Sequence, residues 1–310
     1  VIELKAKQTI TNTDKISDDN GNTLCNHKYS YLRGSIMFVK RILWMMAIWV
    51  LLSQTSPVFA THSICYSKVK RAGIWLNVVT VDLNSPDVVV TPAVARYGIG
   101  HSESFRSMLK RTRPAAAVDG TFFCTRTLKP TGDIIIDGRS VWKGYLGAAL
   151  TIDWAGKVKL FPTYIPGIYD RDAYQNVVEV GPTLVLGGRT IVMPGLEGFH
   201  SRVHTAKNLR AAVGITYSNK LIFALTTKPV HLRRLAWALE QLKCKDAACL
   251  DGGSSSALYC KGKLITNPSR GMTNCILAYD NPGLYARAVA KLSPLPAAGE
   301  RRADSRSSIL

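Results

Sequence analysis

The sequence predicts an α+β fold: a mostly antiparallel sheet built from hairpins, with two principal helices packed on it. Three observations carry this expectation. Short β-branched runs recur, joined by turns rich in Gly, Asp and Asn, which is the pattern of repeated hairpins. Only two stretches carry an apolar stripe at helical spacing. No repeat of solenoid period runs along the chain.

Residues 75–83 alternate around Leu76, Val78 and Thr80, the period of a half-buried strand. A helix over 102–112 is followed by a small apolar strand at 115–118. Residues 134–136 turn at Asp137-Gly138 into 139–142, a pair that accepts the positive φ angles of a type I′ turn. The runs 148–153 and 157–161 meet through Gly156, and 183–186 and 189–192 through Gly187-Gly188. Ser218-Asn219 joins 211–217 to 221–226. The second helix spans 231–242, with Leu232, Leu235, Ala236, Leu239 and Leu242 on one face and Arg233, Arg234 and Glu240 off it. A strand at 247–250, a hairpin of 256–260 with 264–265 near Gly262, and a last strand at 274–279 complete the domain. Residues 164–176 and 195–208 read as surface loops.

Residues 1–36 are polar and aperiodic, and read as an upstream or disordered segment. Residues 37–60 have the layout of a signal peptide: Lys40 and Arg41, an apolar core at 42–52, then Val58-Phe59-Ala60. That core is shorter than the about 20 residues of a bilayer crossing. A secreted or periplasmic protein is therefore expected, the alternative being an anchor formed by the uncleaved segment, which would then be the sole membrane contact. Residues 61–290 form the domain, and 291–310, rich in Ala, Arg and Ser, a disordered tail.

The formal net charge of +19 attracts anionic polymers. The basic residues are scattered, without zinc-finger spacing or an aromatic–basic RNA signature, so nucleic acid is not expected as a partner. Of the seven cysteines, Cys25 precedes the signal segment. Cys65, Cys124, Cys244, Cys249, Cys260 and Cys275 remain, an even set that fits up to three disulfides after export, with the pairing open. There is no Cys-x-x-Cys pair, and His200 and His204 have no neighbouring cysteine, so no metal site is expected.

Two segments carry the candidate chemistry. A small apolar strand ends in Asp251-Gly252-Gly253-Ser254-Ser255-Ser256. It offers a carboxylate, two glycines that accept positive φ, and hydroxyl and N–H groups that can cradle oxygen atoms. The same order of helix, short strand and Asp-Gly occurs earlier and ends in Asp119-Gly120-Thr121-Phe122-Phe123. Facing one cleft, Asp251 and Asp119 would supply the carboxylate pair of most glycoside hydrolases. Arg210 and Arg270 can grip an anion bidentately, and Gly252, Gly253 and Ser254 would form a backbone cradle. His200 and His204 are candidate proton shuttles and Glu179 a reserve carboxylate. The ordinary alternatives are a plain Asp-Gly-Gly turn and solvated surface side chains.

Five segments, Asp119-Gly120-Thr121-Phe122-Phe123, Gly181-Pro182-Thr183-Leu184-Val185, Arg210-Ala211-Ala212-Val213-Gly214, Leu250-Asp251-Gly252-Gly253-Ser254-Ser255, and Arg270 with Asn274, occur in a fixed order. In that order the chain resembles the phosphodiester glycosidases, over about 74 to 279. The resemblance implies an enzyme that splits a sugar from a phosphate at the anomeric carbon. It implies Asp251 as base or electrostatic stabiliser, Asp119 as substrate binder or second acid/base, Arg210 and Arg270 as phosphate holders, and Thr121 and Asn274 as substrate contacts. A phosphomonoester with a second pKa of about 6 departs without full protonation. Cationic stabilisation then matters more than a strong general acid. The family's first element is often Asn-Gly-Gly where this chain has Asp119-Gly120-Thr121, so Asp251 is the firmer candidate. No organic cofactor is implied. A structural Ca²⁺ stays open, though no EF-hand pattern is present. The implied partner is a phosphorylated or phosphodiester-linked glycan of the envelope or extracellular space. The alternative is a non-catalytic envelope protein that binds anionic polysaccharide.

Overall fold

A computed structural model describes residues 44–45, 62–165, 167–200 and 205–293. The chain divides into two compact units, 1–61 and 62–310. In the first, Trp44 and Met45 alone are described, and both are helical. The expected upstream segment and nearly all of the signal segment therefore lie outside the described residues, as does the tail beyond 293. Among the described residues no helix is long and apolar enough to cross a membrane.

In the second unit, β1 (Ile64–Arg71) folds back on β2 (Ile74–Asp82), and β3 (Val89–Val94) leads to helix α1 (Phe105–Thr112) and β4 (Ala116–Asp119). The middle of the chain is mostly strand, broken by a 3-10 turn at Arg171–Ala173: β5 (Ile134–Ile136), β6 (Arg139–Trp142), β7 (Ala148–Ile152), β8 (Val158–Pro162), β9 (Asn176–Val180), β10 (Thr183–Leu186) and β11 (Arg189–Thr190). The hairpin β12 (Ala211–Thr216) and β13 (Lys220–Thr226) precedes helix α2 (Leu232–Gln241) and β14 (Cys244–Cys249). The chain then forms β15 (Leu258–Cys260), β16 (Lys263–Thr266), β17 (Asn274–Tyr279) and helix α3 (Pro282–Leu292).

These strands form three sheets, ordered β1-β2-β13-β12-β14-β10-β11, β16-β15-β4-β17-β3 and β6-β5-β9-β7-β8. Their ladders are antiparallel. The seven-stranded sheet is buried on both faces by a period-two pattern. Along β13, Leu221, Phe223 and Leu225 join the main core shared with the other sheets. Ile222 and Ala224 face a second core filled by Leu232, Leu235, Ala236 and Leu239 of α2.

The fold is α+β and mostly antiparallel, but among the described residues of the second unit three complete α-helices stand where two were expected. Helix α3 is capped by Asn281, whose Oδ1 accepts from Leu284 N at 3.2 Å, and it starts on Pro282. It buries only Ala288 and Leu292, so its apolar stripe is too narrow to stand out in the sequence. It runs to Leu292, past the expected boundary at 290. Strands β1, β3 and β9 were not expected either. The β1–β2 turn uses Ala72 at φ 46° with Gly73 at φ 75°, and alanine is not a turn signal. By contrast Asp137 and Gly138 both take positive φ, as a type I′ pair requires.

The six described cysteines expected to pair are free thiols; Cys244, Cys249, Cys260 and Cys275 are buried and Cys65 and Cys124 exposed. Burial pushes the Cys244, Cys249 and Cys275 thiols up to about 12, the state of inert core residues.

Candidate active site

The two helix–strand–Asp-Gly units lie in different sheets and their strand ends meet. Asp119 closes β4 in one five-stranded sheet, and Asp251 follows β14 in the seven-stranded sheet. Asp251 N donates to Gly120 O at 3.1 Å, and Gly252 N donates to Asp119 Oδ2 at 2.8 Å.

Glycine is required at this junction. Gly252 has φ 65°, and a Cβ there would lie 2.9 Å from Leu209 O and 3.3 Å from Ala211 N. Gly120 packs so closely on Asn274 that an added Cβ would run into the amide oxygen.

Asp251 faces the rim. Its side chain retains 10 % exposure and its Oδ2 accepts from Arg270 Nη2 at 2.8 Å. Arg270 Nε donates to Ser255 Oγ at 2.7 Å, and the Ser255 hydroxyl donates in turn to Asp251. The guanidinium lies 4.4 Å from the centroid of the Phe123 ring, a cation–π contact. Burial raises the Asp251 carboxyl above its ordinary value, opposed by the Ser255 and Arg270 hydrogen bonds. A depression of about 350 Å³ is lined by Arg270 together with residues including Ser102, Ser104, Arg106, Asn267 and Ser269.

Several of the other expected site residues, Asp119, Thr121, Asn274, Arg210 and Glu179, are buried. Asp119 is fully buried, and Ala257 N donates to its second oxygen at 3.4 Å. Burial pushes its carboxyl up to about 8, with the Asp251 charge adding to the rise. With both oxygens engaged and no solvent access, Asp119 positions Gly252 and does not present an open carboxylate. The Gly252 and Gly253 N–H groups are likewise spent internally, on Asp119 and on Leu209 O at 2.9 Å, so they do not form the expected open cradle. Ser254 is exposed and its carbonyl accepts from Ser269 N at 3.0 Å.

Asn274 clamps the first segment: its Oδ1 accepts from Thr121 N at 2.7 Å and its Nδ2 donates to Thr121 O at 3.2 Å. Both residues are buried, so they shape the strand end from beneath. Arg210 is also buried; Nη2 donates to Ala206 O at 2.6 Å and Nε to Val230 O at 3.4 Å, tying the 205–210 segment down. Glu179 is buried within β9 and accepts from Asp133 N at 3.2 Å and Leu146 N at 3.0 Å. Burial pushes it up to about 7. It belongs to the third sheet's own interior. His200 is exposed, and His204 lies outside the described residues.

Ser255, Phe123 and Glu197 were not singled out by sequence reasoning. Ser255 stood in the hydroxyl run, but one serine in three has no distinguishing mark. Glu197 is buried, and both its oxygens accept from Thr183 N at 3.0 Å. The neighbouring Phe199 meets Phe122 edge-on at 5.7 Å, fastening the 194–200 turn beside the Asp119 segment. Among the described residues no group of three His, Cys, Asp or Glu could hold a metal ion.

No curated protein matches the chain in sequence. Among solved structures, the catalytic domain of zebrafish N-acetylglucosamine-1-phosphodiester α-N-acetylglucosaminidase, auto-inhibited by its pro-peptide, superposes with a TM-score of 0.56 at 21% identity. That match covers 73% of this chain and 85% of the zebrafish domain. A hypothetical protein from Synechocystis superposes with a TM-score of 0.54 at 16% identity over 69% of this chain. The chain spans 61% of that protein's length. At such identities the superpositions establish the fold. The family model of phosphodiester glycosidases matches residues 112–279, more than half the chain, with Asp119, Asp251 and Arg270 inside it. The chain belongs to the phosphodiester glycosidase family.

Proposed function

We propose that this protein is an exported hydrolase that cleaves the glycosidic bond of sugar-1-phosphodiesters in envelope or extracellular glycans. The observation that carries the reading is the Asp251–Arg270 pair at the rim, braced by Ser255 and Phe123. Arg270 is the phosphate holder: its planar fork suits two phosphate oxygens. Asp251 stabilises positive charge at the anomeric carbon or activates water there. A carboxyl raised by burial is a better base near neutrality, and general-base action is worth about 10²–10⁴-fold. Asp119, Asn274 and Arg210 serve as positioning residues, and Ser254 offers a hydroxyl at the rim. The phosphate departs as a stable anion, so no organic cofactor is needed.

The test is hydrolysis of UDP-N-acetylglucosamine, as a sugar-1-phosphodiester probe, by the purified protein in ¹⁸O-water. Label in the released sugar, lost with Asp251→Asn, supports the reading. Label in the phosphate makes the protein a phosphodiesterase cutting the phosphorus–oxygen bond. Binding of anionic polysaccharide with no turnover by wild type makes it a non-catalytic envelope protein.

A further inference from the structure

Helices α1 and α3 pack side by side, and their outer face is almost purely cationic. Arg106, Lys110 and Arg113 form one exposed stripe at positions i, i+4 and i+7 around the end of α1. Arg287 and Lys291 form a second stripe on α3, and Arg96 stands exposed just beyond β3. Residues 88–118 contain a single acid, Glu103, and 281–293 contain none. Glu103 is already matched, since its Oε2 pairs with Arg111 Nη2 at 2.7 Å. Arg111 also donates to Val94 O at 2.8 Å and to Lys291 O, joining the two helices beneath the charged layer.

Like charges at i and i+4 repel and weaken a helix. An array of six exposed cations, with Glu103 as its single acidic neighbour and that one already paired with Arg111, therefore raises the energy of the folded state, and a bound polyanion would lower it. The face is also recessed. A depression of about 720 Å³ is lined by Arg96, Ser107, Lys110, Arg111, Arg113 and Lys291. At the start of α1, Arg106 lines the separate depression of about 350 Å³ that reaches Arg270. The cationic surface thus runs along α1 to the edge of the catalytic pair. A flat bilayer cannot follow such a groove, whereas a flexible chain of sugars and phosphates can.

We propose that the α1–α3 face is an exosite for a phosphodiester-linked glycan polymer, gripping neighbouring anionic repeats while one linkage sits at Asp251 and Arg270. The inference deepens the proposed function and rests on it. It makes the preferred substrate a polymer, with affinity that falls steeply as salt screens the cations.

The experiment compares the full-length protein with a Lys110→Glu/Arg287→Glu/Lys291→Glu variant on two substrates. One is a polymer of N-acetylhexosamine 1-phosphate diesters, the other UDP-N-acetylglucosamine. The expected result is a KM for the polymer about tenfold higher in the variant, with the UDP-sugar KM unchanged. The salt dependence of the polymer KM should flatten. An equal rise for both substrates, or no rise for either, overturns the exosite. A Lys110→Gln/Arg287→Gln/Lys291→Gln variant with wild-type Tm serves if charge reversal impairs folding. Fluorescence anisotropy with labelled polymer separates this inference from the catalytic reading. If wild type turns over neither substrate, the reading of the site fails; weaker polymer binding by the variant still upholds the exosite, and unchanged binding overturns it. Stronger competition by phosphatidylglycerol vesicles or single-stranded DNA than by unlabelled polymer also overturns it, in favour of those partners.

Discussion

The carboxyl of Asp119 accepts the N–H of Gly252 at 2.8 Å across 133 residues of chain. This contact sets the direction in which Asp251 leaves its strand. It also places a buried carboxyl beside a second one, and burial raises Asp119 from an ordinary 3.8 to about 8. Between those values the folded protein holds a proton that the unfolded chain has released, so stability falls as pH rises through the window. The Asp119 contribution is fully present below 3.8 and lost as pH passes about 8. Replacement by Asn removes the titration. Thermal unfolding followed between about pH 5 and about pH 8 should show a falling Tm for wild type and a flatter profile for Asp119→Asn.

Asp251 carries the chemistry in the proposed mechanism. Asp251→Asn keeps the shape and an acceptor for Arg270 but loses the charge and the basicity. Its kcat should drop by about 10²–10⁴-fold with Tm nearly unchanged. Retention of wild-type kcat on a sugar-1-phosphodiester would exclude Asp251 as the base.

Arg270 and Ser255 act together. Ser255→Ala removes the acceptor for Arg270 Nε and a donor to Asp251. At about 0.5–1.5 kcal/mol for each of the two hydrogen bonds, kcat/KM should drop by about fivefold to about 150-fold. Arg270→Lys keeps the charge and loses the fork and the stack on Phe123, so its kcat/KM should fall further than that of Ser255→Ala. Steady-state kinetics on the same substrate ranks the two.

Gly252→Ala should be severe, for a backbone reason. The residue sits at φ 65° with Leu209 O only 2.9 Å from a would-be Cβ. Strain of about 1–3 kcal/mol and a shifted Asp251 are expected together. The checks are a lower Tm and a reduced kcat. Gly262, at φ 83° with open space around it, is the control: Gly262→Ala should cost stability and leave kcat intact.

Glu197 supports the rim from outside the expected motifs. Glu197→Ala leaves the Thr183 N–H without its carboxylate acceptor, a cost of about 1–3 kcal/mol for a buried donor. Limited proteolysis should then cut near the 194–200 turn faster than in wild type.

The hairpins announced themselves because their turns need special backbone, as at Asp137-Gly138 and Gly187-Gly188. The Ala72-Gly73 turn and the narrow apolar stripe of α3 gave no comparable signal, and both were missed. The convergence of the Asp119 and Asp251 segments was legible as a repeated order of helix, strand and Asp-Gly. What no order of residues reveals is the direction of a side chain. Asp119 and Asp251 share a motif, yet one is sealed under Ala257 and Gly252 and the other meets solvent beside Arg270. Arg210 and Arg270 differ in the same way: the first ties down backbone carbonyls, the second stands on an aromatic ring.

The meeting of β4 and β14 ends from separate sheets has a further consequence. Neither sheet owns the proposed reacting centre; it exists only where the two layers abut. A small slip between them would part Asp251 from its support while leaving each layer's ladder whole. With Asp251 acting as proposed, loss of turnover should precede loss of secondary structure when the protein is warmed, this seam being the weakest joint.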